Sequence, residues 1–287
     1  PKTLDSASES LERRRKAHEG ERVVGGLKSQ KARSWTEKLL TRTTSGLVYV
    51  LCIFACLFWG RIPTAVLVGA MAWLCGSEFY RMARLAGRMP NEFVGLCAVV
   101  LYPLAALARP EAETGITLLL MLACGTWYVL TPRASISDAS ITVFGAAYTG
   151  LLFSSVVTIR SCDAGFDGAL LTLGVMGSVW VNDAFAYLVG SKFGRHKLAP
   201  RISPNKSWEG LVGGLVGSCI VWVIVWALGV RSINLGLALL AGVLCGCAGV
   251  VGDLFESRLK RSVGVKDSGN FMPGHGGLLD RSDSMLF

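Results

Sequence analysis

The chain has 287 residues, 52% of them hydrophobic and 17% charged, with a mean hydropathy of +0.48 and a formal net charge of +9. Charge is confined to short stretches between apolar runs long enough to cross a hydrocarbon core of roughly 30 Å, which excludes a soluble globular domain. The basic residues lie beside apolar segments with no aromatic-basic module, so anionic lipid headgroups and phosphates are the expected partners, and nucleic acid is not.

Residues 1–44 are polar, carry the run Arg13, Arg14, Arg15, Lys16 and contain no stretch of signal-peptide type. They predict a cytoplasmic tail, either disordered or a surface helix. Apolar runs follow near 45–60, 62–80, 91–108, 113–131, 137–159, 168–190, 208–229 and 233–255. These predict an all-α, polytopic helical bundle of about eight membrane spans. The first two are the least secure, because Gly60-Arg61-Ile62-Pro63 is a very tight connection and the first run is short. Residues 45–165 form an N-terminal group of spans, and 166–287 a C-terminal catalytic region with polar loops at 191–207 and 256–281.

The loop charges set the orientation, since Lys and Arg favour the cytoplasmic side. With the N-terminus inside, the inner loops carry Arg81, Arg84 and Arg88, then Arg133, then Lys192, Arg195, Lys197, Arg201 and Lys206, then Arg258, Lys260, Arg261 and Lys266. The outer loops hold little more than Arg61, Arg109, Arg160 and Arg231. This predicts a multi-pass protein of the plasma (inner) membrane with its polar loops facing the cytoplasm.

Of nine cysteines, only Cys162 falls in a loop, and the Cys245-Gly-Cys247 pair has no second pair or histidine near it, so neither zinc nor a disulfide framework is expected. Gly210, Gly213, Gly214 and Gly217 recur at three- and four-residue spacing and predict close packing of one span against a neighbour. They lack the preceding strand that a nucleotide-binding glycine loop needs.

Ionisable groups inside spans are costly and mark candidate sites. Asp183 stands in an otherwise apolar span. In the loop that follows, Ser203-Pro-Asn205-Lys206-Ser207-Trp-Glu209 places Ser207 to cap the next helix beside Lys206, an arrangement suited to a phosphate. The last span ends with Asp253, Glu256, Ser257 and Lys260 on one helical face, a polar stripe that should line a cavity. The stretch 257–284 combines cations for phosphate charge, glycines that admit a ligand close to the backbone, and carboxylates suited to magnesium. Asp280 and Asp283, three apart, would project toward one ion from a helix. His275 reads as a hydrogen-bond donor to phosphate, because no partner ligand accompanies it.

Ser257, Lys260, Arg261, Lys266, Asp267, then Pro273-Gly274-His275-Gly276-Gly277, then Asp280-Arg281 and Asp283 resemble the C-terminal signature of phosphatidate cytidylyltransferases. Upstream, Asp183-Ala-Phe-Ala-Tyr187, Phe193-Gly194 and Ser203 to Gly210 resemble the family's other polar elements, so the resemblance covers roughly residues 180–284. It implies transfer of the cytidylyl group of CTP to phosphatidic acid, in a homodimer, with Mg2+ and with or without K+ beside it. Asp253, Asp280 and Asp283 would then be metal carboxylates and, with Lys260, Lys266, His275 and Arg281, catalytic. Ser203, Asn205, Lys206, Ser207, Asp183, Arg261, Asp267, Gly276 and Gly277 would bind substrate. Asn205 departs from the family, which places a second lysine there. The family also implies one more membrane helix beyond Phe287, a ninth, truncated here.

Two other readings stay open. A CTP-dependent polyprenol or lipid kinase would release CDP instead of pyrophosphate. A transporter would use Asp183 and Asp253 as a solute path, but it predicts paired repeats in both halves, whereas polarity here gathers in the C-terminal half.

Overall fold

The computed structural model describes residues 43–109, 111–163, 165–230, 233–269, 271 and 276–287. Almost all of the predicted tail, including its basic run, lies outside the described residues, as do Arg231, Pro273, Gly274 and His275. Val50–Phe287 is one compact unit.

Each predicted apolar run is helical: α1 Thr43–Trp59, α2 Arg61–Leu85, α3 Glu92–Ala108, α4 Ala112–Leu130, α5 Ile136–Ala146 continuing through a π turn, Ala147–Leu151, into α6 Leu152–Ser161, α7 Phe166–Phe193, α8 Trp208–Ala227 and α9 Leu235–Ser262. Several helices outrun the hydropathy. The run near 62–80 becomes the 25-residue α2, and the run near 233–255 becomes the 28-residue α9. Hydropathy detects where the apolar solvent ends, while the backbone ladder continues into the polar region for as long as the residues tolerate a helix.

Among the described residues, α2, α4, α5 to α6, α7, α8 and α9 are long and apolar enough to cross a membrane. Of the two least secure runs, the second is the full-length α2, and the first is the short α1. The other short apolar helix, besides α1, is α3, whose 17 residues rise only about 25 Å, less than the hydrocarbon thickness.

The outward faces are apolar. Leu118, Leu119, Leu122, Val129 and Leu130 on α4 are exposed, as are Val212, Val216 and Ile220 on α8. In water such faces would drive aggregation; in a bilayer they meet their own solvent. The chain is a multi-pass helical membrane protein.

Inside, α2, α3, α5 and α6 pack as one group, and α8 packs between α7 and α9 as another. The α8 glycines lie on the α7 side, as their spacing predicts: a Cβ on Gly213 would come within 2.5 Å of Val189, and one on Gly217 within 2.9 Å of Phe185. An aromatic cluster joins the groups. Tyr148, in the π turn, stacks on Phe144 at 5.9 Å and meets Phe255 of α9 at 5.1 Å.

One departure from an all-helical chain lies in the predicted polar loop after α7. There β1 (Lys197–Ala199) and β2 (Ser203–Ser207) form an antiparallel hairpin, pairing Lys197 with Ser207 and Ala199 with Ser203. At the C-terminus, a short turn α10 (Leu279–Ser282) and a 3-10 turn, Asp283–Met285, pack beside α9 and α2.

Candidate active site

A cavity of about 800 Å³ opens where the end of α7, the hairpin with the start of α8, the end of α9 and the C-terminal turns meet. Asp183, Asn205, Lys206, Ser207, Asp253, Lys260, Asp267, Asp280, Arg281 and Asp283 line it, so most of the residues singled out from sequence share one space. Ser203, Arg261, Lys266, Gly276 and Gly277 are not among its lining residues, and Arg261 and Lys266 are exposed. His275 falls outside the described residues.

The hairpin delivers its residues through α8. Ser207 leaves the strand with extended backbone and accepts a hydrogen bond from the Gly210 amide at 3.1 Å, the helix cap its sequence position predicts. Glu209, placed by sequence only in the first turn, also staples the hairpin base: its carboxylate accepts from the Arg195 and His196 amides, and His196 Nδ1 stands 2.7 Å from it. Lys206 is thereby held at the cavity wall, with its Nζ 2.6 Å from Asp253 Oδ2.

On α9 the predicted polar stripe is present. Ser257 donates to Asp253 Oδ1 at 3.1 Å, Glu256 is fully buried, and Lys260 pairs with both Glu256 and Asp280 Oδ1, the latter at 2.6 Å. A lysine inside this much protein is tolerable only because two carboxylates compensate its charge.

Asp280 and Asp283, three residues apart, both line the cavity but have different surroundings. Asp280 Oδ1 takes Lys260, and Oδ2 accepts the Ser268 amide at 2.9 Å and the Gly277 amide at 2.8 Å. Burial pushes its carboxyl up, but the Lys260 ammonium and the Gly277 amide outweigh that and hold it below the ordinary value. With both oxygens engaged, Asp280 acts as a clamp on the loop ends while still lining the cavity. Asp283 has the opposite environment. Burial, and then the neighbouring charge of Asp253, push its carboxyl up to about 7.

Among the described residues no three His, Cys, Asp or Glu groups are gathered around one point. Asp183, Asp253 and Asp283 nevertheless line the same cavity. That donor chemistry, all carboxylate oxygen, fits a hard divalent cation such as magnesium. Lysines and Arg281 in the same wall suit a polyphosphate, whereas at the start of α8 the Trp208 and Gly210 amides are already taken by the His196 carbonyl and Ser207 Oγ.

Sequence reading missed Glu78. It lies in α2, is 8% exposed, and accepts from Ser268 Oγ and from the Leu278 and Leu279 amides. The signal was available, since an acidic residue inside an apolar run is as costly as Asp183.

The sequence pattern of the cytidylyltransferase family matches residues 40–287. Over 257 residues the chain is 32% identical to a phosphatidate cytidylyltransferase of Bacillus subtilis, covering 88% of this chain and 93% of that one. It is 43% identical over 155 residues to a protein of the same name from Staphylococcus haemolyticus, covering 54% of this chain and 58% of that relative. A protein of Escherichia coli K12 named YnbB is 46% identical over 120 residues, covering 42% of this chain and 40% of its own length.

Proposed function

The chain belongs to the cytidylyltransferase family, and on that premise we propose that it transfers the cytidylyl group of CTP to phosphatidic acid, giving CDP-diacylglycerol and pyrophosphate. The observation that carries this reading is the one cavity that faces Lys206, Lys260 and Arg281 toward Asp183, Asp253 and Asp283 at the polar ends of membrane helices. A phosphate oxygen of phosphatidic acid forms the new bond to the α-phosphorus of CTP, and the bond to the β-phosphate bridging oxygen breaks. The nucleophile is already an anion, so the barrier lies in bringing two polyanions together. Lys206, freed from Asp253 as phosphate arrives, and Arg281 meet that charge, while Lys260 is held in place by Glu256 and Asp280.

Magnesium belongs to this proposal, with Asp253 and Asp283 as the residues to hold it and Asp183 beside them. Such an ion supplies charge neutralisation at the transferring phosphate. The loop charges support a plasma-membrane protein with the cavity on the cytoplasmic side. A homodimer is part of the proposal on the family resemblance, and mass photometry in detergent checks it.

The test is conversion of CTP and phosphatidic acid in detergent, with and without EDTA. CDP-diacylglycerol and pyrophosphate are expected, lost with EDTA and regained with excess Mg2+. Asp283→Asn should lower kcat by roughly 100-fold or more, the scale of one lost electrostatic contact at a transition state. Lipid phosphate with CDP as products would instead identify a lipid kinase.

A further inference from the structure

The reaction scheme leaves one buried carboxylate of this region without a task. Glu78 belongs to α2, outside the helices that line the cavity, yet its hydrogen bonds go to the C-terminal segment: Ser268 Oγ at 2.9 Å, and the Leu278 and Leu279 amides at 3.1 and 2.9 Å. One turn on, Arg81 donates to the Ser268 carbonyl. Gly269 and Gly277 flank the carboxylate so closely that a Cβ on either would collide with it, so no other residue type leaves it this room.

Asp280 grips the same place from the other side, accepting the Ser268 and Gly277 amides while Lys260 holds its second oxygen. Ser268 and the 277–279 backbone are therefore pinned together between two carboxylates, one from α2 and one from α10. Asp280 lines the cavity, whereas Glu78 is not among its lining residues. The Leu278 and Leu279 amides have no helical partner at the start of a turn, and Glu78 satisfies them as a cap supplied by a distant helix. That turn carries Asp280 and Arg281 and leads directly into Asp283.

We propose that Glu78 is a positioning residue for cytidylyl transfer, locking the turn that presents Asp280, Arg281 and Asp283 to the cavity. The proposal rests on the activity proposed above. It accounts for a buried carboxylate inside an apolar helix, which membrane packing alone would select against.

The experiment uses the full chain in detergent, with wild type first assayed for CDP-diacylglycerol. Glu78→Gln keeps the shape but sets an NH2 group against donors. It should lower kcat by roughly 10- to 100-fold, the effect typical of removing an outer support of a catalytic group, with KM for CTP changed less than about three-fold. Glu78→Asp should recover part of the rate. Adding Ser268→Ala to Glu78→Gln should cost less than Ser268→Ala alone, because both act through one latch. Hydrogen exchange should quicken in peptides covering 276–284 while the middle of α2 stays protected. Wild-type kcat or unchanged exchange in folded Glu78→Gln overturns the proposal, as does a rate loss that tracks lost α2 protection with additive Ser268→Ala. If Glu78→Gln does not fold, Ser268→Ala decides: a kcat loss beyond about three-fold supports the latch, and wild-type kcat overturns it. If the wild type makes no CDP-diacylglycerol, the activity reading fails, and the exchange measurement still reports separately whether Glu78 holds the turn.

Discussion

Gly252 lies where α9 meets the C-terminal turn, and its missing side chain fixes how near Asp283 comes to Asp253. A Cβ there would collide with the Asp283 carbonyl and stand 3.2 Å from Ser284 Cα. Both are backbone atoms, so the neighbour cannot swing aside as a flexible side chain would. Gly252→Ala should therefore cost about 1–3 kcal/mol, as overpacking does, and push Asp283 off the cavity wall. Thermal unfolding in detergent and kcat should fall together, and a variant with wild-type values of both would mean that the turn does not rest on α9. The pair Asp280 and Asp283 carries a related lesson. Their spacing is visible in the sequence, but it does not reveal that Lys260 and two loop amides occupy the first while burial and Asp253 surround the second.

At the scale of elements, the hairpin and the start of α8 act as one unit. Ser207 ends β2, caps α8 and lines the cavity, and Glu209 closes the hairpin base. Ser207→Ala removes an N-cap, a loss of about 0.5–2 kcal/mol, and also loosens the strand that holds Lys206. The expected result is a modest drop in melting temperature with a clear rise in KM for CTP. A drop in stability with KM unchanged would separate the cap from the nucleotide site. The cap was legible because Ser followed two residues later by Glu before an apolar run has a local signature. The hairpin was not, because β1 is a three-residue strand, Lys197–Ala199, too short for alternation to register, and its pairing depends on a partner several residues away. The α8 glycines were legible as a packing face, since small residues at helical spacing have one economical use in a bilayer.

Across the whole molecule, two helix groups meet through the aromatic cluster around Tyr148 and through Glu78, and the polar ends of both groups lie on the same side as the cavity. The orientation proposed from loop charge makes a direct prediction. Cys162, exposed between α6 and α7, lies at the opposite end of α7 from the cavity. A membrane-impermeant maleimide should label it from outside intact cells, with Cys162→Ala removing the signal; labelling only after lysis would invert the topology. By itself the sequence determined the solvent, where the apolar helices lie and many of the residues that line the cavity, because hydropathy and short motifs are properties of neighbouring residues in the chain. Only the tertiary structure decided that Asp280 clamps the loop ends, that burial and Asp253 surround Asp283, and that Glu78 reaches Ser268 from 190 residues away. Hydrogen bonds and desolvation act through space, and no local pattern records where the chain returns to itself.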